Sequence, residues 1–165
     1  MKRYSACKPL NRSVMENISF NEILKSGLTR QEKARLIADK IRTSKKYSWV
    51  GLYDVKESEI SIISCAGRTE PAFTSFPKDK GLNGKAAMLK KTVIVNDINS
   101  DDDYLLTFSN TESEIIVPVF AENSETVAGT IDAESETKNA FSKEDAAFLE
   151  DCAKEIRSLW QTSNN

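Results

Sequence analysis

The chain has 165 residues and no histidine. That absence excludes Ser-His-Asp and Cys-His catalysis. It also excludes His-ligated zinc and haem held by a proximal histidine. Proton transfer near neutral pH is left to a shifted Glu, Asp, Lys or Cys. Cysteine is scarce, and the three present are Cys7, Cys65 and Cys152. The odd count and the lack of a CxxC pair exclude a zinc ribbon and a thioredoxin-type motif. Cys65 sits in an apolar run and Cys152 on an apolar helical stripe, as buried structural thiols do. This usage suits a reducing compartment, so a cytoplasmic location is expected. No run approaches the roughly 18 apolar residues of a membrane span. The opening MKRYSACKPLNRS is basic but lacks the apolar core of a secretory signal. Neither charge dominates: 23 Lys and Arg face 25 Asp and Glu, a formal net charge of −2. That balance gives no basic footprint for nucleic acid. Neither a nucleic-acid nor a membrane partner is therefore expected. Asp101-Asp102-Asp103 lacks the alternation and the glycine of an EF-hand loop and reads as a solvated run. No metal or cofactor is expected.

What is present suits one soluble globular unit, with 39% hydrophobic and 29% charged residues. Residues 1–12 are expected to be a flexible lead-in and residues 13–162 a single domain. A first helix is expected over Ser13–Lys25, closed by Ser26-Gly27. Thr29 and Glu32 form a capping box for a second helix. Ala34, Ile37, Ala38 and Ile41 then recur at helical spacing and define its buried face.

Strand signals follow. SWVGLYDV (48–55) and EISIISCA (59–66) are rich in branched and aromatic residues, with a hairpin turn at 56–58. In the first of them Trp49, Gly51, Tyr53 and Val55 share a face. Gly67–Lys80 reads as a long loop. Gly81–Gly84 leads into a short helix over Lys85–Lys90. Thr92–Asn96 reads as a buried strand, and 97–113 as irregular with a helical turn near Tyr104–Phe108. Glu114–Phe120 and Thr126–Glu134 are two more strands. Pro118 removes a ladder donor and predicts a bulge or a free edge. Ser142 caps a final helix whose apolar stripe includes Phe148, Leu149, Cys152 and Ile156. This order predicts an α+β domain: helices packed on one face of an antiparallel sheet of five or six strands.

The runs WVGLY (49–53), KGLNGKAA (80–87), VIVNDI (93–98), SEIIVPVF (113–120), VAGTIDAES (127–135) and FSKEDAAFLE (141–150) resemble a GAF domain. The resemblance covers about Thr29 to Trp160. It implies the GAF fold, with N- and C-terminal helices on one face of the sheet and loops closing a pocket on the other. Within GAF domains the chain is most similar to the free methionine-(R)-sulfoxide reductases, which use cysteine thiols on the loops over the pocket. The family's loop cysteines fall on Phe73, Asn83 and Thr107, and none is cysteine. Sulfoxide reduction needs an attacking thiolate and a resolving thiol. The resemblance therefore implies a retained pocket without its catalytic residues.

Ligand contacts implied by the resemblance fall on Trp49, Tyr53, Asn83, Thr107, Glu114, Asp132 and Glu134. Trp49 and Tyr53 match an aromatic wall suited to a thioether, a methyl group or a cation. Plain core packing is the competing reading. Glu114 and Glu134 match acidic positions that would hold an ammonium group, although the family has Asp at the second. Asp132 is an alternative, and solvated strand ends are the competing reading. Gly81–Gly84 opens a helix whose free amides suit an anion, or it is simply a tight turn. Three functions stay open: a non-catalytic small-molecule-binding or sensing module, with an amino acid or derivative as ligand; a divergent sulfoxide reductase; and a dimerisation or protein-interaction module. A homodimer through the terminal helices is expected.

Overall fold

The computed structural model describes residues 19–67, 69–105 and 108–161. Helix α1 spans Phe20–Lys25 and α2 spans Arg30–Lys45, and both start on capping boxes. Ser19 and Thr29 each accept from the amide three residues on, while Glu22 and Glu32 reach back to the cap. Ser19 is extended, so α1 begins at Phe20 and not at Ser13. The rest of that expected helix, and the expected lead-in over 1–12, lie outside the described residues.

Strands β1 (Trp49–Val55) and β2 (Glu59–Gly67) form a hairpin with a register shift between Leu52 and Tyr53. The stretch expected as loop contains β3, Ser75–Pro77, which pairs antiparallel with β2. Three residues ending on a proline are too short to show an alternation, which is why the strand is not legible in the sequence. Helix α3 runs over Gly81–Leu89. The Gly81–Gly84 segment is therefore its first turn and not a lead-in. Strand β4 covers Val93–Val95, followed by a 3₁₀ turn at Ile98–Ser100. The turn expected near Tyr104–Phe108 spans residues outside the described ones. Strands β5 (Ser113–Phe120) and β6 (Val127–Ser135) complete the sheet. Helix α4 (Lys143–Ile156) ends in a 3₁₀ turn over Arg157–Trp160.

The sheet order is β3-β2-β1-β6-β5-β4, antiparallel throughout. β4 is an edge strand, and Ile94 is exposed on it. It is not the buried strand expected, because no described strand pairs with its outer side. The free-edge form of the expectation for Pro118 is the one met, and the register shift falls beyond that residue. The β5–β6 register shifts between Val119 and Phe120, and β4 reaches only as far as Ile116 along β5.

Period two sorts the strands between two layers. Val50, Leu52, Ile115, Val117, Ile131 and Ala133 pack on one face against α2 and α4. Leu149 and Ile156 of α4 are fully buried there, each contributing roughly 1.5–3 kcal/mol. The opposite face carries Trp49 and Tyr53 near its centre, and Leu82 and Ala86 of α3 cover Ile116.

The 3₁₀ turn over Arg157–Trp160 closes back on β1. Trp160 Nε1 donates to the Tyr53 carbonyl at 3.1 Å. Gly129 makes this possible, since a Cβ there would lie 2.1 Å from Trp160 Nε1 and 2.5 Å from that carbonyl oxygen. Arg30 adds a second tie. Its guanidinium forks onto both Asp54 carboxylate oxygens at 2.6 and 2.8 Å, and its Nε donates to the Leu159 carbonyl at 2.8 Å. Among the described residues, no helix is long and apolar enough to cross a membrane.

Candidate functional site

The site is built by strand register. Trp49 lies opposite Glu134, Gly51 opposite Asp132 and Tyr53 opposite Thr130. On the other side of β6, Glu114 lies opposite Glu134. Alternation puts Thr130, Asp132 and Glu134 on the α3 side, while Ile131 and Ala133 enter the helical core. Three carboxyl groups from two neighbouring strands thus meet under α3.

Gly51 lets the two aromatic side chains close over the strand. A Cβ there would sit 2.2 Å from the Trp49 ring and 3.0 Å from the Tyr53 ring. The rings stand with centroids 6.4 Å apart. Phe108 packs edge-on to Trp49 at 5.3 Å and Phe76 tilts against Tyr53 at 5.9 Å. The aromatic wall thus has four members, two of them missed by the sequence reading. Phe76 and Phe108 come from stretches read as loop, where no periodicity points to a face.

Glu114, Asp132 and Glu134 are buried, and each brings one carboxylate oxygen within 4.8 Å of the others. They are not solvated strand ends. Burial, and then the neighbouring carboxylates, push Glu114 and Glu134 well above the ordinary carboxylate range. Asp132 is raised by burial to about 7 and held down by hydrogen bonds from Asn83 and Glu114. At this spacing three negative charges repel strongly in a low-dielectric setting. Near neutral pH the cluster therefore retains protons. Burial also raises the Tyr53 phenol, with Asp132 adding to it.

Asn83, in the first turn of α3, is wired into this cluster. Its Nδ2 donates to Asp132 Oδ2 at 2.8 Å, and its Oδ1 accepts from Thr130 Oγ1 at 2.5 Å. Thr111 Oγ1 donates to Glu134 Oε2. Three buried polar atoms here have no partner among the described residues: Trp49 Nε1, Asp132 Oδ1 and Glu134 Oε1.

Among the described cavities, none holds all of the expected site residues. Trp49 and Glu134 line a cavity of about 360 Å³ with Phe108, Asn110 and Thr111. Tyr53, Asn83 and Glu114 line a separate recess of about 10 Å³, with Phe73 at its edge. Asp132 lines neither cavity. Thr107 lies outside the described residues. The Asp101–Asp103 run holds a lysine: Lys85 Nζ lies 2.9 Å from Asp101 and 3.1 Å from Asp103.

Cys65 is fully buried beside Trp49 and Tyr53, as its apolar run anticipates. Cys152 is a free, buried thiol on α4, pushed up to about 12 chiefly by burial. Neither lines either cavity.

A curled six-stranded sheet with helices behind it and a polar cluster under α3 is a GAF arrangement. The GAF domain model matches residues 28–159, and the chain belongs to that family. A free methionine-R-sulfoxide reductase of Saccharomyces cerevisiae is 32% identical over 112 residues, which is 66% of this chain and 61% of that protein. The type II free methionine-R-sulfoxide reductase from Thermoplasma acidophilum has a similar structure at a TM-score of 0.73 and 27% identity, over 86% of this chain and 95% of that one. The free methionine-R-sulfoxide reductase from Neisseria meningitidis, in complex with its substrate, shares the fold at a TM-score of 0.75 and 22% identity, over 96% of both chains. The chain spans about three-fifths of the length of the curated relatives it matches.

Proposed function

We propose that this GAF domain binds a small zwitterionic molecule, an amino acid or a derivative of one, without thiol redox chemistry. The observation that carries the reading is the 360 Å³ cavity, lined by two residues that each hold an unpartnered polar atom. Trp49 has an indole N–H to donate, and Glu134 has a carboxylate oxygen to accept. Each buried group left unpaired costs about 1–3 kcal/mol. A ligand presenting a carboxylate or other acceptor to Trp49 and an ammonium group to Glu134 satisfies both. Aromatic rings beside it suit the apolar side chain of such a ligand.

The departure from the reductases supports the non-catalytic half of the proposal. Asn83 occupies a family cysteine position, and its amide is committed to Asp132 and Thr130. Phe73 has no nucleophile, and a Thr hydroxyl is a poor one without an activating base.

Calorimetry with methionine, its two sulfoxides, other amino acids and cyclic nucleotides tests the reading. One zwitterionic ligand is expected to saturate, and Trp49→Phe to weaken it about tenfold while keeping the ring. No binding at millimolar concentration by any of them rejects the proposal. Consumption of free methionine-(R)-sulfoxide in a thioredoxin recycling assay, abolished by Cys65→Ser, would instead make the protein a reductase, as its Saccharomyces cerevisiae relative is named. A homodimer through α1, α2 and α4 belongs to the same proposal. Light scattering that gives a monomer at all concentrations removes that part. A cytoplasmic location belongs to the same proposal and rests on the sparse cysteine usage of the chain.

A further inference from the structure

A second concavity lies at the other end of β5. Its origin is the shortness of β4, which pairs only with Glu114, Ile115 and Ile116. From Val117 to Phe120, β5 continues with no described strand on that side. Pro118 stands in this uncovered run and has no N–H to offer there. Helix α3 ends at Leu89, and Lys90 takes the left-handed conformation, φ 53°, that turns the chain. The following residues form one wall of a groove and α4 forms the other. Thr92 Oγ1 donates to Glu150 Oε1 at 2.5 Å and joins the two walls at one point.

The groove holds about 570 Å³, within the range of small-molecule sites. Its apolar lining comes from Val117, Pro118, Phe120 and Ala153, and Phe120 is 36% exposed. Its rim carries Lys90, Lys91, Lys154 and Arg157 against one carboxylate, Glu150. Lys154 is engaged with Asp151 at 2.8 Å. Lys90, Lys91 and Arg157 form no ion pair with any described residue. Three uncompensated cations around an apolar floor are notable in a chain whose net charge is −2. The groove shares no lining residue with the Trp49–Glu134 cavity.

We infer that this groove is a second ligand site, for a small amphipathic organic anion: an apolar ring or short chain with one carboxylate or phosphate head. The body lies on Phe120, Pro118 and Ala153, where burial provides roughly 25 cal/mol per Å². The head meets Arg157, whose planar guanidinium suits either oxyanion, with Lys90 and Lys91 adding long-range attraction. Such a ligand fits a shallow groove better than a fully charged one. An inorganic ion gains nothing from the apolar side chains of the floor, and the rim cations are solvated.

The test titrates the full chain with phenyl phosphate and with phenylacetate, followed by calorimetry and by amide chemical shifts. Inorganic phosphate serves as the head alone and benzyl alcohol as the body alone. Saturable binding of either acid is expected, with shifts at Phe120 and Ala153 and with both fragments weaker by about tenfold. The tighter of the two acids identifies the head group. Arg157→Glu and, separately, Lys91→Glu are expected to weaken binding by about tenfold with an unchanged melting temperature. Phe120→Asp, at a part-exposed position, is expected to abolish it. Three results overturn the inference. They are no saturation by either acid at millimolar concentration, inorganic phosphate matching phenyl phosphate, and shifts that fall on Trp49 and Glu134 instead of the groove.

Discussion

Glu114 and Glu134 face each other directly across the β5–β6 ladder, 3% and 1% exposed. Like charges at opposed positions destabilise a sheet, and Asp132 stands close to both. The pair can persist only if protons or a bound cation neutralise it. Its contribution to stability is therefore pH-dependent in a direction opposite to that of most surface carboxylates.

The sign follows from proton counts. Asp132 is raised from an ordinary 3.8 to about 7 in the folded chain. Between those values the native state holds a proton that the unfolded state has released. Stability from this group is then fully present below the unfolded value and is lost as pH rises toward 7. Glu114 and Glu134 act in the same direction. Asp145 and Asp97 are lowered and act oppositely, weakening the fold as pH falls below the carboxylate range. The melting temperature should peak at mildly acidic pH and decline through neutrality. Thermal scans that rise steadily from acid to alkaline pH would contradict this.

Removing one charge from the cluster should relieve it. Glu114→Gln keeps the shape and loses a titrating group. Above neutral pH it should stabilise the ligand-free protein by about 1 kcal/mol and flatten the acid-to-neutral decline. Chemical denaturation of both proteins at two pH values gives the difference. A variant less stable than the parent at alkaline pH would show that Glu114 makes a favourable buried contact.

Gly51→Ala introduces a methyl group into space held by the Trp49 and Tyr53 rings. Both rings must move, at a cost of about 1–3 kcal/mol. The loss should appear as a lower melting temperature and a change in tryptophan emission, since Trp49 is the nearer ring. An unchanged melt would mean that the rings yield freely.

Arg30→Ala breaks three hydrogen bonds at once, two to Asp54 and one to the Leu159 carbonyl. The guanidinium is partly exposed, at 43%, so the loss should be about 1 kcal/mol and not the larger value of a buried pair. Arg30→Lys should recover little of it, because an ammonium group lacks the planar fork. Denaturant midpoints for both variants decide the matter.

Cys152 should resist alkylation in the native protein. Its thiol is buried and pushed up to about 12, and thiolate is the reactive form. Mass spectrometry after iodoacetamide treatment should find Cys152 unmodified until denaturant is added. Rapid labelling of the folded chain would show that α4 opens.

The sequence revealed elements whose signal is local and repetitive. The Thr29–Glu32 capping box, the Ser142 cap and the helical spacing of Ala34, Ile37, Ala38 and Ile41 each fix a helix within one or two residues. The resemblance to GAF domains then supplied the topology that no single run contains. What stayed hidden depends on distant pairing. β3 is visible only because Phe76 meets Ile60, and β4 became an edge only because no strand lies beyond it. Phe108 lines the cavity at Trp49 and Phe76 the recess at Tyr53. Both phenylalanines come from segments without a period. Asn83 was placed by its match to a cysteine position, but its bonds to Asp132 and Thr130 needed three dimensions.

The indole of Trp160 and the carbonyl of Leu159 fasten the final turn to strand β1 and helix α2. A tag or truncation that disturbs this turn therefore acts on Tyr53 from behind, through the backbone of the strand that bears it. Engineering at that end of the chain would alter the aromatic cluster without touching any residue within it.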